Sequence, residues 1–428
     1  MSNRISAAQL PAPLVIVLGL AIAPVSRGAE VPQPAGVTLE AARAKALEAN
    51  PELSAGAADV RAAAGALRQA RALPDPEISF EAEDFGGNLP DEATSQRTLS
   101  VSERVEWFGK RASRVEAARR ERDLAGHDLE LRRLDVLQEV EKRFVDLLAA
   151  QERLAIAGED AATAAEVRAA VSALVSAGEA SPIEETRALG EESLARVEKD
   201  RAARDVALAG RALSRLWGEA SRSVPRADGR LEAVVAVPER ATALAALGRL
   251  PDLARWDAET ARLEALEELS RRQALPDLTL TAGLRSLVGT GQRTWVAGIT
   301  VPIPLPGATS GARSEAAARL EAARAGRLAE EVRLRTAWLS AEEELRHASN
   351  EVRLLTDVVL PNAHQTWAAL SEGYRRGKFR LLDLLEARRA LAASHLRLVD
   401  ALARLNSSLA DLRRLTPDGL LARAGESR

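Results

Sequence analysis

Residues 96–107 read Gln-Arg-Thr-Leu-Ser-Val-Ser-Glu-Arg-Val-Glu-Trp, and their alternation decides the fold. Leu99, Val101, Val105 and Trp107 take every second place, with Thr98, Ser100, Ser102, Arg104 and Glu106 between them. Glu103 alone puts a charge on the apolar side. Successive side chains of a strand point to opposite faces, so this period makes one face apolar and the other polar. Three other runs behave alike. Ile78, Phe80 and Ala82 alternate with Glu77, Ser79, Glu81 and Glu83. Leu278, Leu280, Ala282 and Leu284 alternate with Asp277, Thr279, Thr281 and Arg285. Trp295, Ala297, Ile299, Val301 and Ile303 alternate with Thr294, Gly298 and Thr300.

A soluble sheet packed on helices would alternate too, but three details favour a bilayer. The runs are expected to be about ten to twelve residues long, enough for a tilted strand to cross. The polar face of the first pair is strongly charged, as a water-filled lumen permits. Trp107, Phe108 and Trp295 fall at strand ends, where aromatics settle at the membrane interface. The segments Gly86–Ser95 and Gly289–Gln292 then read as external loops. Four strands cannot close, because the smallest membrane barrels have about eight. An open edge in lipid leaves backbone groups unpaired at several kcal/mol each. Oligomerisation is therefore required: two chains would give eight strands and three would give twelve, and physics alone does not choose.

Outward from the strands the chain reads as helix. Thr38 to Leu73 is Ala-rich and ends at Pro74 and Pro76, since proline lacks a donor and clashes with the preceding turn. From Arg111 to Ser176 nothing breaks the pattern except isolated glycines, a rod of about 100 Å at 1.5 Å per residue. Pro182 restarts a helix expected to run to about Leu216. A last helix, about Leu381 to Leu415, carries Leu384, Leu391, Leu398, Leu405 and Leu412 seven apart, with Leu381, Leu402 and Leu409 in part of the companion position. Such a period fits both an ordinary core stripe and the left-handed packing of a helical barrel wall.

The plan is written twice, at an offset of roughly 200 residues. Asn50 to Leu53 is echoed by Leu250 to Leu253, Leu73 to Ile78 by Leu275 to Leu280, and Gly109 to Ala117 by Gly307 to Ala316. Gly178 to Arg187 is echoed by Gly377 to Glu386. The expected organisation is a signal peptide over 1–29 and a first repeat over 38–218, with its hairpin at 77–107 and helices at 111–216. A linker follows at 219–250, then a second repeat over 251–416, with its hairpin at 277–304 and helices at 309–415.

Composition narrows the function. The chain has 62 acidic and 59 basic residues among 428, for a formal charge of -3, so nothing argues for nucleic acid. It has no cysteine, which excludes disulfides, thiolate metal sites and an acylated N-terminal cysteine. His127, His347, His364 and His395 lie far apart in sequence, so no metal site is expected within one segment and each reads as a helix-surface residue. Arg4 before the ten apolar residues Leu14–Ala23 reads as an export signal, too short to span a bilayer as a helix. No Walker loop, nucleotide fingerprint, G-x-S-x-G elbow or H-E-x-x-H helix appears, so neither an enzyme nor a cofactor is expected.

Together these features resemble the outer-membrane efflux protein family, the TolC-like channels, from about Thr38 to Pro417. The resemblance implies a mainly α protein with a membrane β-barrel and two structural repeats per chain. It also implies a homotrimer whose twelve-stranded barrel stands on a periplasmic α-helical tunnel, set in outer-membrane lipid of a Gram-negative bacterium. Leu73-Pro74-Asp75-Pro76 with Glu81-Ala82-Glu83, and Glu106-Trp107-Phe108-Gly109-Lys110-Arg111, look most like its heavy-metal efflux (CzcC-like and CusC-like) branch. The implied partners are a periplasmic adaptor (membrane fusion) protein and an inner-membrane RND-type pump. The adaptor would meet turns at Gly178 and Ser181 and at Gly377, Lys378 and Phe379. In the family a Tyr-x-x-Gly turn precedes two acids that ring the periplasmic tip; here Tyr374 to Gly377 leads to Asp383 and Glu386, with Glu184 the equivalent acid of the first repeat. The arginine that locks this turn in relatives is replaced by Phe379, leaving Lys378 or Arg380 to substitute. The plainer alternative is a pair of exposed helix acids. Rival functions are a multidrug or type I secretion duct of the same family, and a soluble periplasmic coiled-coil adaptor.

Overall fold

Caps and prolines set where the helices begin. The computed structural model describes residues 36–84, 95–219, 226–231, 239–303 and 306–416. The expected signal segment and most of the Gly86–Ser95 loop lie outside them. Thr38 caps α1 (Leu39–Ala49), its Oγ1 accepting from Ala41 N at 3.2 Å. The stretch expected as one helix is two, because Asn50 stops α1 and starts α2 (Pro51–Arg71). Its Oδ1 accepts from the backbone of Glu52 and Leu53, at 2.8 and 3.1 Å, while Pro51 takes the first helical turn. The amide of this buried side chain also donates to Leu216 O at 2.7 Å, tying the pair to the far end of α4 (Pro182–Ser214).

The strands β1 (Glu77–Glu83), β2 (Gln96–Val105), β3 (Leu278–Leu287) and β4 (Arg293–Thr300) form one antiparallel sheet in that order. Its register lines up Phe80, Leu99, Leu284 and Trp295 across all four strands, and Ile78, Val101, Ala282 and Ala297 beside them. These rows share one exposed face, and Glu103 falls on it opposite Leu280. The other face carries Ser79, Ser100 and Gly283, then Glu81, Thr98, Arg285 and Thr294. There Arg285 Nε donates to Thr98 Oγ1 at 3.0 Å and its guanidinium lies 3.8 Å from Glu83. At 7 and 8 residues, β1 and β4 are shorter than expected. Asp84 turns β1 with a φ of 53°, and Pro302 and Pro304 bring no N–H to a ladder beyond Thr300. Among the described residues, the outer edges of β1 and β4 have no partner strand.

Gly283 lets β2 and β3 approach. A Cβ there would stand 2.7 Å from both Leu99 O and Ser100 Cβ, whereas one on Gly298 would meet nothing nearer than Thr281 Cβ at 3.7 Å. Gly283→Ala should therefore lower stability by about 1–3 kcal/mol, the usual cost of overpacking, and Gly298→Ala by far less. Melting of the sheet signal in circular dichroism compares them; equal shifts would count against the register.

The helices are α3 (Lys110–Ser176, 67 residues), α4, α6 (Pro251–Gln273), α7 (Pro306–Leu354), α8 (Leu360–Arg375) and α9 (Leu381–Arg414), with the short α5 (Arg240–Ala246) set by Ala243 against α7 and α9. Pro361 has no N–H to close a helical bond, and the five residues Leu355–Val359 widen into a π turn just before α8. One core joins α1, α3 and α4 through Ala42, Ala46, Val140, Phe144, Leu147 and Leu213, with Trp217 just beyond α4. A second joins α7 and α9 through Leu334, Trp338, Leu345, Leu405, Leu409 and Leu412. Part of the expected linker is docked: the side-chain amide of Gln151 both donates to and accepts from the Ala227 backbone, at 3.0 and 2.8 Å. No helix among the described residues is long and apolar enough to cross a membrane.

Candidate channel tip and pore acids

Two turns of the same build end the long helices. At the first, Glu179 N donates to Leu174 O at 2.9 Å and Gly178 N to Val175 O at 3.0 Å. At the second, Lys378 N donates to Gly373 O at 2.8 Å and Gly377 N to Tyr374 O at 2.9 Å. This is the Schellman arrangement, which needs a left-handed residue just past the helix; Gly178 and Gly377 supply it with φ of 77° and 67°. Ser181 then caps α4, its Oγ accepting from Ile183 N at 3.3 Å. Arg380 holds the matching place before α9, where Asp383 reaches back to accept from Arg380 N at 3.2 Å.

Most of the acids expected at the tip are near it but not equivalent. Asp383 is half-buried and bound to the start of its own helix, with the Arg380 guanidinium 3.7 Å away. Glu386, one turn on, is exposed. Glu184 is half-buried on α4 and close enough for its charge to act on Tyr374. Burial first, and then Glu184, push the Tyr374 hydroxyl above the ordinary tyrosine range. Among the described residues the buried Tyr374 hydroxyl has no hydrogen-bond partner. Tyr374 instead packs with Val167, Val171, Ala188, Leu381, Leu384 and Leu385. The Arg380 and Lys378 side chains are both exposed, and Phe379 lies over Gly373, where a Cβ would come within 2.2 Å of its ring.

Higher up the tip, a buried clamp went unread in the sequence. Arg388, 5% exposed, donates from Nη1 to both carboxylate oxygens of Asp160 on α3, each at 3.0 Å, and from Nη2 to Glu191 on α4 at 3.0 Å. Arg389 Nε donates to the same Glu191 at 2.9 Å. Its hydrogen bond, ahead of all other causes, holds Glu191 below the ordinary glutamate range, whereas burial raises Asp160. Two of the helix-surface histidines come together. His364 on α8 and His395 on α9 meet, Nε2 to Nε2, at 3.2 Å. Burial first, then the His364 ring, lower the His395 pKa, and Glu159 on α3 opposes them. Among the described residues no three His, Cys, Asp or Glu side chains are grouped to hold a metal ion.

The aromatics bracket the sheet. Trp107 and Phe108 follow β2 at its helical end, both about half exposed and edge to face at 6.4 Å. Trp295, 80% exposed, stands near the opposite end, across from Leu284. Along the strands they are separated by about eight residues, roughly 26 Å, and a tilted strand of that length covers most of an apolar band about 25 Å tall.

The profile of the family described as outer membrane efflux protein matches residues 42–219 and 244–417. The chain belongs to the outer membrane efflux protein family. The cobalt-zinc-cadmium resistance protein CzcC of Cupriavidus metallidurans is 33% identical over 366 residues, 86% of each chain. The nickel-cobalt-cadmium resistance protein NccC of Alcaligenes xylosoxydans xylosoxydans is 30% identical over 76% of this efflux protein and 71% of its own length. Among solved structures, CusC superposes with a TM-score of 0.76 at 18% identity, over 90% of this chain and 93% of that one. The outer membrane protein VceC of Vibrio cholerae gives 0.72 at 18% identity, over 88% and 95%. At such identities the superpositions speak to the fold of this efflux protein.

Proposed function

We propose that three copies of this chain close a twelve-stranded outer-membrane barrel on a periplasmic helical tunnel, and that the assembly is the passive duct of a tripartite system exporting heavy-metal cations. One observation carries the reading: the four-stranded sheet exposes an apolar face, keeps a polar one, and among the described residues leaves both edges unpaired. Such a sheet is stable in lipid only when other subunits complete the ladder. The metal substrate follows from the resistance proteins CzcC and NccC, similar along most of their length. The sequence holds no motor, so an inner-membrane RND-type pump drives export and a periplasmic adaptor seals the turns around Gly178 and Gly377.

In the trimer, two acids from each of three chains, Asp383 and Glu386, set six carboxylates about one axis. Such a ring attracts cations and repels itself until they bind. Single-channel recordings in planar bilayers test this. Asp383→Ala with Glu386→Ala is expected to weaken block by multivalent cations while leaving the channel able to conduct. Unchanged block would remove the gate from the reading. The substrate is tested in cells that carry the cognate pump but lack this chain: restoring it should restore growth in cobalt, zinc or cadmium, and restored growth in antibiotics alone would favour a multidrug duct.

A further inference from the structure

A second seven-residue series runs along α9 beside the leucines: Leu381, Arg388, His395, Leu402 and Leu409. A packed seam asks for leucine at each place. Arg388 departs from that, and three carboxylate oxygens account for it. His395 departs too, and what it meets is the ring of His364, with centroids 5.2 Å apart and planes crossing at 87°. Neither ring is buried, so packing alone gives little reason for two imidazoles to face each other here. The pair is under-explained as packing.

We propose that His364 and His395 form a two-imidazole chelate for a divalent transition-metal ion of the borderline class, such as Zn2+, Co2+ or Ni2+. Two nitrogens bound tetrahedrally at about 2.0–2.1 Å stand roughly 3.3–3.4 Å apart, and these two stand 3.2 Å apart already. His364 is exposed on α8, so a small swing of its ring brings both lone pairs onto one ion. Glu159, on α3, adds negative charge beside His395. Imidazole selects this class of metal over Mg2+ and Ca2+, which prefer oxygen ligands. With two protein ligands and water in the remaining positions, the ion is held weakly and exchanges readily. The site belongs to one helix pair of one chain and does not rest on the duct reading.

The full chain in detergent is titrated with Co2+, followed by visible absorption, and with Zn2+ by calorimetry. A single saturable site per chain is expected, with Zn2+ displacing Co2+ and Mg2+ failing to. His395→Leu completes the leucine seam and so keeps the fold. Its affinity should fall by no less than the roughly 10–100-fold that loss of an outer-sphere partner costs, and His364→Gln should do the same. His127→Gln with His347→Gln should change nothing. An unaltered Co2+ spectrum and affinity in His395→Leu overturns the proposal, as does a parent chain without saturable absorption. Growth and conductance are measured separately, so failure here leaves the duct standing.

Discussion

Arg388→Ala is expected to cost about 3–5 kcal/mol, the range for breaking a buried ion pair by removing one partner. The guanidinium is the only cation that joins α3, α4 and α9 in the clamp around it: Asp160 takes Nη1 with both oxygens and Glu191 takes Nη2. Alanine would take the guanidinium from Asp160, whose side chain is 21% exposed, and leave Glu191, at 11%, to Arg389 alone. The signs of the two titrations follow from their causes. Glu191 is held low, so its contribution is present above the ordinary glutamate range and is lost as pH falls through its folded pKa. Asp160 is raised by burial, so its penalty exists above its folded pKa and is relieved as pH falls. In Arg388→Ala Asp160 loses the guanidinium that offsets its burial while Glu191 keeps Arg389, so the deficit should narrow toward about pH 4, where carboxyls take up protons. Denaturation midpoints and hydrogen exchange along α9, measured across pH, check this. Arg388→Met with Asp160→Leu and Glu191→Leu should recover much of the loss, since an apolar replacement of the whole group is often neutral or better. A loss below about 1 kcal/mol, the worth of a surface pair, would mean that the clamp is solvated.

That clamp shows where the sequence stops being readable. Period-two alternation is a local signal: Leu99 and Val101 declare their face without reference to any other strand. The repeat at 178 and 377 is equally local, because a left-handed residue after a helix almost requires glycine. The pairing of β2 with β3 is not local, joining residues such as Leu99 and Leu284 whose adjacency no spacing encodes. Asn50 was legible as a landmark of the duplication but not as a double cap, since its second role depends on Leu216 arriving beside it. The companion heptad of α9 did carry a clue. Arg388 and His395 occupy the two places where leucine fails, and each proves to contact other helices. A break in a regular seam marks a polar appointment, although the partners, Asp160, Glu191 and His364, come only with the fold. Tyr374 gives the opposite lesson: its motif is plain in the sequence, yet its hydroxyl meets no partner among the described residues and its ring serves an apolar cluster with Leu381, Leu384 and Leu385.

Val101→Arg and Thr281→Arg separate a lipid-facing sheet from a water-facing one. The register puts Val101 in the apolar row with Ile78 and Ala282, and Thr281 in the polar row with Glu77's partner Ser102 and with Gly298. In a barrel, an arginine on the outer surface must be carried into hydrocarbon at about 2–4 kcal/mol near the midplane, falling toward zero at the interfaces. In the proposed trimer each of three subunits would incur that cost, because one substitution would appear three times around the ring. An arginine at Thr281 would enter the lumen beside water and a glutamate-bearing row, so its effect should fall on ion selectivity and leave folding nearly intact. Folding into lipid vesicles from urea, read by the shift in electrophoretic mobility of folded barrels, gives the comparison directly. The expected order is parent and Thr281→Arg folding alike, with Val101→Arg far behind. If a soluble sheet were covered by helices instead, neither variant would depend on lipid, and equal folding in the absence of vesicles would reverse the assignment of faces. The contrast is decisive because the two positions are on neighbouring strands, differ in parity alone, and receive the same side chain.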